Sequence, residues 1–187
     1  MKNNKFAFTL LLAVTASLFF TACKNDDPQP AIEYETQGYV KGKFTGNSAD
    51  NTYMFNEDFN YTQYNVIYNT VAVYNINDDG SYSIRLQRAD FSTVGFMRIE
   101  FELNNASDTS PDDVKVDFNY EKEFNDKIVT FRMAPSDNNA TTLSEISFNP
   151  TTGQVKGKLT LSGSDNSTGN NASVMADFDM IAKRVIQ

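Results

Sequence analysis

The stretch that decides the fold is FMRIEFEL, residues 96–103, in which apolar residues from Met97 onward alternate with charged ones. Successive side chains of a β-strand point to opposite sides, so this alternation predicts a strand with one buried face and one solvated face. The segment VKVDFNY, residues 114–120, has the same period. Together the two segments predict an antiparallel sheet that covers a hydrophobic core.

The same period recurs through the rest of the chain. Residues 146–148 and 155–161 predict a hairpin, since Pro150 fixes φ early in the intervening turn and Gly153 is free to take a positive φ at its end. A final strand is predicted over residues 174–180, with further strands over residues 39–44, 52–55, 64–68, 71–76, 82–88 and 128–133. About ten antiparallel strands without a helix predict an all-β sandwich, with a closed lipocalin-like barrel as the alternative.

Composition excludes several function classes. The chain of 187 residues carries 16 Lys and Arg against 24 Asp and Glu, a formal charge of −8, which opposes binding to nucleic acid. It has no histidine, and its single cysteine is Cys23. A body without Cys or His has no Ser-His-Asp triad, no thiolate nucleophile and no imidazole or thiolate metal site. The chemistry that remains is that of carboxylate, Lys, Tyr, Ser and Thr side chains. We expect no metal, no cofactor and no enzymatic activity, with a carboxylate-dependent hydrolase as the lesser alternative.

The amino-terminal residues have the pattern of a signal peptide. Lys2 and Lys5 precede an apolar run over residues 6–20. As a helix this run would span about 22 Å at ~1.5 Å per residue, less than the ~30 Å hydrocarbon core of a bilayer. The run is thus too short for a permanent anchor, and we predict that residues 1–22 are removed.

Cys23 follows the small residues Thr21 and Ala22, and residues 20–23 resemble a lipobox, in which the cysteine is acylated and becomes the new first residue. Acyl chains are worth ~0.8 kcal/mol per buried CH₂, so lipidated Cys23 would hold the protein on a membrane. The alternative is a secreted protein that is cut nearby and keeps a free thiol. The sequence predicts a flexible acidic tether over residues 23–35 and a single all-β domain over residues 36–187.

The lipobox, the acidic pair Asp26 and Asp27, and the strand pattern TGQVKGKLTL of residues 152–161 resemble small uncharacterised lipoproteins of Bacteroides and Flavobacterium relatives. In that group a closing strand follows and ends near a phenylalanine, the place that Phe178 takes here. The resemblance implies a β-rich outer-membrane lipoprotein displayed on the cell surface, with a position facing the periplasm as the alternative. It carries over no catalytic residue.

Residues 53–74 are rich in aromatics and amides, the side chains from which proteins build sugar-binding platforms. The candidate ligand-binding residues are Tyr53, Tyr61, Tyr64 and Tyr68. The alternative is that these rings fill the core or line a sheet edge.

Two other patterns have simpler interpretations. Asn75, Asn77, Asp79 and Gly80 resemble the start of a calcium-binding loop, but Leu86 occupies the position that needs a bidentate carboxylate, so a hairpin turn is predicted instead. The scattered methionines are interpreted as core filler.

These patterns lead to three hypotheses of function. The first is a non-enzymatic surface lipoprotein that binds a glycan or another envelope protein. The second is a structural or assembly subunit of an outer-membrane complex. The third, a carboxylate-dependent hydrolase, would use an acidic pair such as Glu100 with Glu102 or Asp177 with Asp179, although solvated strand faces account for these pairs as well.

Overall fold

The computed structural model describes residues 37–48, 50–63, 71–92, 94–135, 140–164 and 171–185. These residues form eleven β-strands and no helix. The strands are β1 (Gly38–Asn47), β2 (Met54–Tyr61), β3 (Val73–Ile76), β4 (Tyr82–Asp90), β5 (Gly95–Leu103), β6 (Asp112–Phe124), β7 (Lys127–Met133), β8 (Ala140–Asn149), β9 (Gln154–Ser164), β10 (Asn171–Ile181) and β11 (Lys183–Arg184).

The strands form two sheets, a five-stranded sheet in the order β2-β1-β10-β9-β8 and a six-stranded sheet in the order β11-β3-β4-β5-β6-β7. Every pairing between these strands is antiparallel except that of β11 with β3, which is parallel. The two sheets do not close into a barrel. The predicted β-sandwich is confirmed, and the closed-barrel alternative is not what the chain adopts.

The alternating segments occupy the strands that the sequence predicts for them. On β9 and β10 the predicted inward residues are all buried, because both strands lie inside the five-stranded sheet and cover the core with one face; they are Val155, Gly157, Leu159, Leu161, Val174, Ala176, Phe178 and Met180. The strand predicted over residues 52–55 is the start of a longer one, β2. The strand predicted over residues 64–68 lies outside the described residues.

The β8–β9 hairpin explains the two glycines of the carboxy-terminal pattern. Gly153 has a φ of 75°, as its predicted turn position requires, and its carbonyl accepts a hydrogen bond from the Ala182 amide at 2.8 Å. Gly157 lies opposite Phe178 in the β9–β10 pairing. A Cβ atom on Gly157 would come within 2.6 Å of the Phe178 ring and 2.5 Å of Ile146, so this glycine makes room for the ring.

The centre of the core is a cluster of aromatic rings contributed by both sheets. The ring of Phe44 on β1 lies 5.4 Å from that of Phe55 on β2, measured between centroids. Across the interface it lies 5.1 Å from Phe118 on β6 and 4.9 Å from Phe131 on β7. All of these rings are buried. Phe44 therefore connects two strands of one sheet to two strands of the other.

A buried arginine fastens the start of β1 to β4. Arg88 is 2% exposed, and its Nη2 donates to the carbonyl of Gln37 at 2.6 Å while its Nη1 donates to the carbonyl of Gln87 at 2.8 Å. The start of β1 thus meets β4, whereas Phe44 further along meets β6 and β7. It follows that β1 runs across several strands of the second sheet rather than along one of them.

Two residues on the predicted solvated face of β6 are buried, which corrects that part of the sequence analysis. Asp117 is 5% exposed because the long side chains of Arg98 on β5 and Arg132 on β7 lie beside it, at 3.3 Å and 3.5 Å. Asn119 is 8% exposed, and its amide donates to the carbonyl of Val94 at 3.1 Å. Neighbouring strands therefore cover part of the outer face.

Candidate functional site

The structure does not bring the two described candidate tyrosines, Tyr53 and Tyr61, together on one surface. Tyr61 is 1% exposed, and its hydroxyl donates to the carbonyl of Asn119 at 3.0 Å, so its ring belongs to the core rather than to a platform. Burial, followed by the nearby Tyr120 and Asp90, raises the pKa of Tyr61. Tyr64 and Tyr68 lie outside the described residues. The alternative of core aromatics thus applies to Tyr61.

Tyr53 is half-buried and belongs to a polar cluster between the sheets. Its hydroxyl donates to Glu57 Oε1 at 2.5 Å, and Lys122 Nζ donates to the same carboxylate oxygen at 2.6 Å. Partial burial acts to raise the pKa of Glu57, but the hydrogen bonds from Lys122 and Tyr53 outweigh it, so the pKa is lowered. The hydrogen bond to Glu57 and then the one to Tyr53 raise the pKa of Lys122.

The lowered pKa of Glu57 and the raised pKa of Lys122 are those of a structural ion pair rather than of catalytic groups. A general acid needs a carboxyl with a raised pKa, and a nucleophilic or basic lysine needs a lowered one. The cluster links β2 at the edge of the five-stranded sheet to β6 of the six-stranded sheet. We interpret it as a tie between the sheets.

Replacing Glu57 with Gln is expected to lower the free energy of unfolding by about 1–2 kcal/mol at pH 7, a value reduced for the partial exposure of the pair. The pKa of Glu57 in the folded state lies below its ordinary value of 4.5, so the ionised carboxylate stabilises the native state at pH values above 4.5. This stabilisation is lost as the pH falls through the lowered folded-state pKa. Urea unfolding of both proteins at several pH values between 3 and 7 measures the difference.

The matched control is Asp58→Asn, which changes the exposed neighbour on the other face of β2. This variant should unfold like the wild type across the range. A Glu57→Gln deficit that stays constant down to pH 3 would show that the carboxylate charge has no part in the effect.

The calcium-like segment is a hairpin turn between β3 and β4, as predicted. The amide of Gly80, whose φ is 87°, donates to the carbonyl of Asn77 at 2.9 Å. Asp79 Oδ1 accepts hydrogen bonds from the backbone and hydroxyl of Ser81, at 3.0 Å and 2.6 Å. Within the part of the chain that the structure describes, no group of three or more acidic side chains is placed to hold a metal ion.

The methionines of the described strands divide between the core and the surface, whereas both members of the acidic pair of β10 lie on the outer face. Met97, Met133 and Met180 are buried, in agreement with the core-filler interpretation, but Met54 is 77% and Met175 57% exposed, which contradicts it for these two. Both lie on the outward-facing positions of their strands. On the same outer face Asp179 pairs with Lys156 at 3.1 Å, and Asp177 is exposed.

A cleft of about 340 Å³ opens on the outer face of the six-stranded sheet. Outward-facing side chains of four adjacent strands form most of its floor, together with one residue that follows β11. The lining residues are Val73, Asn75, Ser83, Ile84, Arg85, Glu100, Phe101, Glu102, Asp113, Lys115 and Val185.

A β-bulge accounts for the shape of the sheet at this point. The register between β5 and β6 shifts between Glu100 and Glu102, and Asp113 takes a φ of 48°, which is uncommon for a residue with a side chain. Bulges bend a strand and re-aim its side chains. At the other end of the cleft, the Val185 amide donates to the carbonyl of Tyr74 at 2.9 Å and holds the chain against β3.

Most charged groups of the cleft already have partners. Lys115 Nζ donates to Asp113 Oδ2 at 2.6 Å, and this hydrogen bond, followed by the charge of Asp113, raises the pKa of Lys115. Glu100 lies 3.7 Å from the Arg98 guanidinium, and the Ser83 hydroxyl donates to Glu102 at 3.3 Å.

Arg85 and Asn75 differ from these residues. Among the described residues, neither side chain has a hydrogen bond or ion pair, and Arg85 Nε and Asn75 Oδ1 are buried without a partner. A buried polar atom without a partner costs about 1–3 kcal/mol. One atom is a donor and the other an acceptor, so a ligand that offers both functions would satisfy both.

Sequence reasoning found only part of this site. It singled out Glu100 with Glu102 as an acidic pair and Asn75 as part of a turn, but it gave no role to Arg85. The alternation placed Glu100 and Glu102 on a solvated face, yet only the register of β3 to β6 shows that Asn75 and Arg85 lie near them. The bulge at Asp113 had no recognisable signal in the sequence.

Comparisons of the chain with protein-family models, with curated proteins and with solved structures found no match. Among the described residues, no helix is long and apolar enough to cross a membrane.

Proposed function

We propose that this chain is a lipid-anchored protein of the bacterial outer membrane, exposed at the cell surface, and that its β-sandwich is a non-enzymatic binding module. The ligand binds in the cleft on the outer face of the six-stranded sheet. The observation that carries the proposal is that Arg85 and Asn75 have no side-chain partner among the described residues, and that Arg85 Nε and Asn75 Oδ1 are buried, in a cleft where most other charged groups are paired.

The surrounding structure supports binding rather than catalysis. The Glu57–Lys122 pair has pKa values shifted away from those of an acid or a base. A cleft built on adjacent strands has a rigid backbone, because the strands are paired on both sides. Binding there costs little backbone conformational entropy.

The anchor is tested by replacing Cys23, the single cysteine of the chain, with Ala. We expect the wild type to sediment with membranes, to incorporate labelled fatty acid and to be cleaved when protease is added to intact cells. Cys23→Ala should lose the label and leave the membrane fraction, whereas Lys24→Ala should behave like the wild type. An unlabelled wild type, or one protected from protease on intact cells, would contradict anchoring or surface display respectively.

Binding is tested by thermal unfolding of the detergent-solubilised full chain in the presence of a panel of sugars, amino acids and peptides. A bound ligand at about 100 times its Kd stabilises the native state by about 2.7 kcal/mol. Ser83→Trp, which fills the cleft, should abolish that stabilisation, and Ser173→Trp on the outer face of the other sheet should keep it. Stabilisation that survives Ser83→Trp would place the ligand elsewhere.

A further inference from the structure

We propose that the ligand of this cleft is an acidic sugar, a hexuronic acid unit of a glycan, whose carboxylate binds Arg85 and whose hydroxyls bind the neighbouring acceptors. This inference rests on the proposed function and names its ligand class.

Arg85 determines the charge of the ligand. Its guanidinium carries five N–H donors in a planar fork, and none of them has a partner among the described residues. Glu100 lies directly opposite Arg85 in the β4–β5 register, yet it is Arg98 that pairs with this carboxylate. A planar guanidinium binds a carboxylate through two parallel hydrogen bonds, a geometry that a neutral group does not match. The structure therefore offers one place for one carboxylate.

The rest of the cleft limits how much negative charge the ligand carries. Glu100, Glu102 and Asp113 line the same cleft as Arg85, and the second cation, Lys115, is already bound to Asp113. A phosphate monoester, which carries close to two negative charges at neutral pH, would be repelled by these carboxylates more strongly than a singly charged group, because like charges at close range oppose one another. A single carboxylate directed at Arg85 avoids this repulsion.

The same carboxylates favour a ligand rich in hydroxyl groups. An ionised carboxylate only accepts hydrogen bonds, and so does Asn75 Oδ1, whereas a sugar hydroxyl donates and accepts. Hydroxyls next to the ligand carboxylate would donate to Asn75 Oδ1 and to Glu102. Val73 and Val185 add apolar surface for the C–H face of a sugar ring. A uronic acid combines these three features in one ring.

Arg85 Nε and Asn75 Oδ1 are covered in the structure, so we expect side chains to move when the ligand binds. Arg85 Nε and Asn75 Oδ1 are not accessible to solvent, so a ligand that reaches them has to displace neighbouring side chains. Lys115 lines the same cleft and is more than half exposed, so its long side chain can move aside when a ligand enters. Binding would then exchange two unsatisfied atoms for two hydrogen bonds.

The test uses the detergent-solubilised full chain and three probes: an oligogalacturonate, the same oligosaccharide with its carboxyl groups reduced to alcohols, and a mixture of free α-amino acids. Titration calorimetry measures each affinity. The oligogalacturonate should bind, and the carboxyl-reduced form should bind at least tenfold more weakly, because it lacks the charged partner of Arg85. Arg85→Gln should weaken oligogalacturonate binding by a similar factor, and Arg85→Lys should weaken it less.

The matched control is Lys43→Gln, which removes an exposed cation from the outer face of the five-stranded sheet. Because this residue is distant from the cleft, the affinity should stay within about twofold of that of the wild type. Equal affinity for the reduced probe, binding of the amino acids alone, or binding of none of the probes would overturn the uronic acid assignment. The first two of these results, if lost in Ser83→Trp, would still support a binding cleft. Loss of affinity in Lys43→Gln equal to that in Arg85→Gln would overturn the role of Arg85, since it would reflect net charge alone.

Discussion

Replacing Phe44 with Ala is expected to lower the free energy of unfolding by about 3–5 kcal/mol, the range for truncating a buried aromatic side chain. Phe44 is 1% exposed and its ring contacts rings of β2, β6 and β7. Its removal would leave a cavity at the point where the two sheets meet, and the paired strands on either side limit how far the core can collapse into it. Chemical denaturation followed by circular dichroism measures the change.

The control for Phe44→Ala is Met54→Ala, because Met54 is apolar but 77% exposed. Its effect should stay within about 0.5 kcal/mol, as for most surface substitutions. A Phe44→Ala variant as stable as the control would mean that the ring cluster does not hold the sheets together.

Replacing Arg88 with Met is expected to cost about 3 kcal/mol or more, because it removes the charge-assisted hydrogen bonds of a buried guanidinium and leaves one buried carbonyl acceptor, that of Gln87, unsatisfied. The affected carbonyls belong to Gln37 and Gln87. Met has a similar length and is apolar, so the change tests the hydrogen bonds rather than the packing. We expect a lower denaturation midpoint and faster amide hydrogen exchange in the first residues of β1.

Arg184→Met provides the comparison for Arg88→Met, since Arg184 is exposed. It should change neither the midpoint nor the exchange of β1. If Arg88→Met reduces stability without faster exchange in β1, then Arg88 stabilises the protein by a route other than fastening that strand.

The sequence predicted the fold class well because alternation is a local signal. Each of β5, β9 and β10 lies with one face on the core, so every second residue is apolar and the strand is visible without knowledge of its neighbours. The turn at Gly153 was predicted for the same reason, since a positive φ is a property of one residue. Where burial depends on side chains from other strands, as at Asp117 between Arg98 and Arg132, the local pattern was misleading.

The candidate site was harder to predict because it depends on contacts between strands. Arg85 and Glu100 are distant in sequence and become neighbours only through the β4–β5 register. Tyr61 illustrates the reverse problem, since an aromatic next to amides suggested a surface and the structure buries it. The predicted lipidation site Cys23 and the candidate residues Tyr64 and Tyr68 lie outside the described residues, so these interpretations of the sequence remain predictions.

The position of β1 has a mechanical consequence. This first strand is not at an edge, since β2 and β10 flank it along most of its length. If the protein is anchored through its amino terminus as proposed, tension that acts along β1 would load the backbone hydrogen bonds of both ladders in shear, all together. An edge strand pulled away from its one neighbour would instead lose its backbone hydrogen bonds one after another. A surface protein exposed to flow or to a bound polymer would thereby withstand a larger force before it unravels.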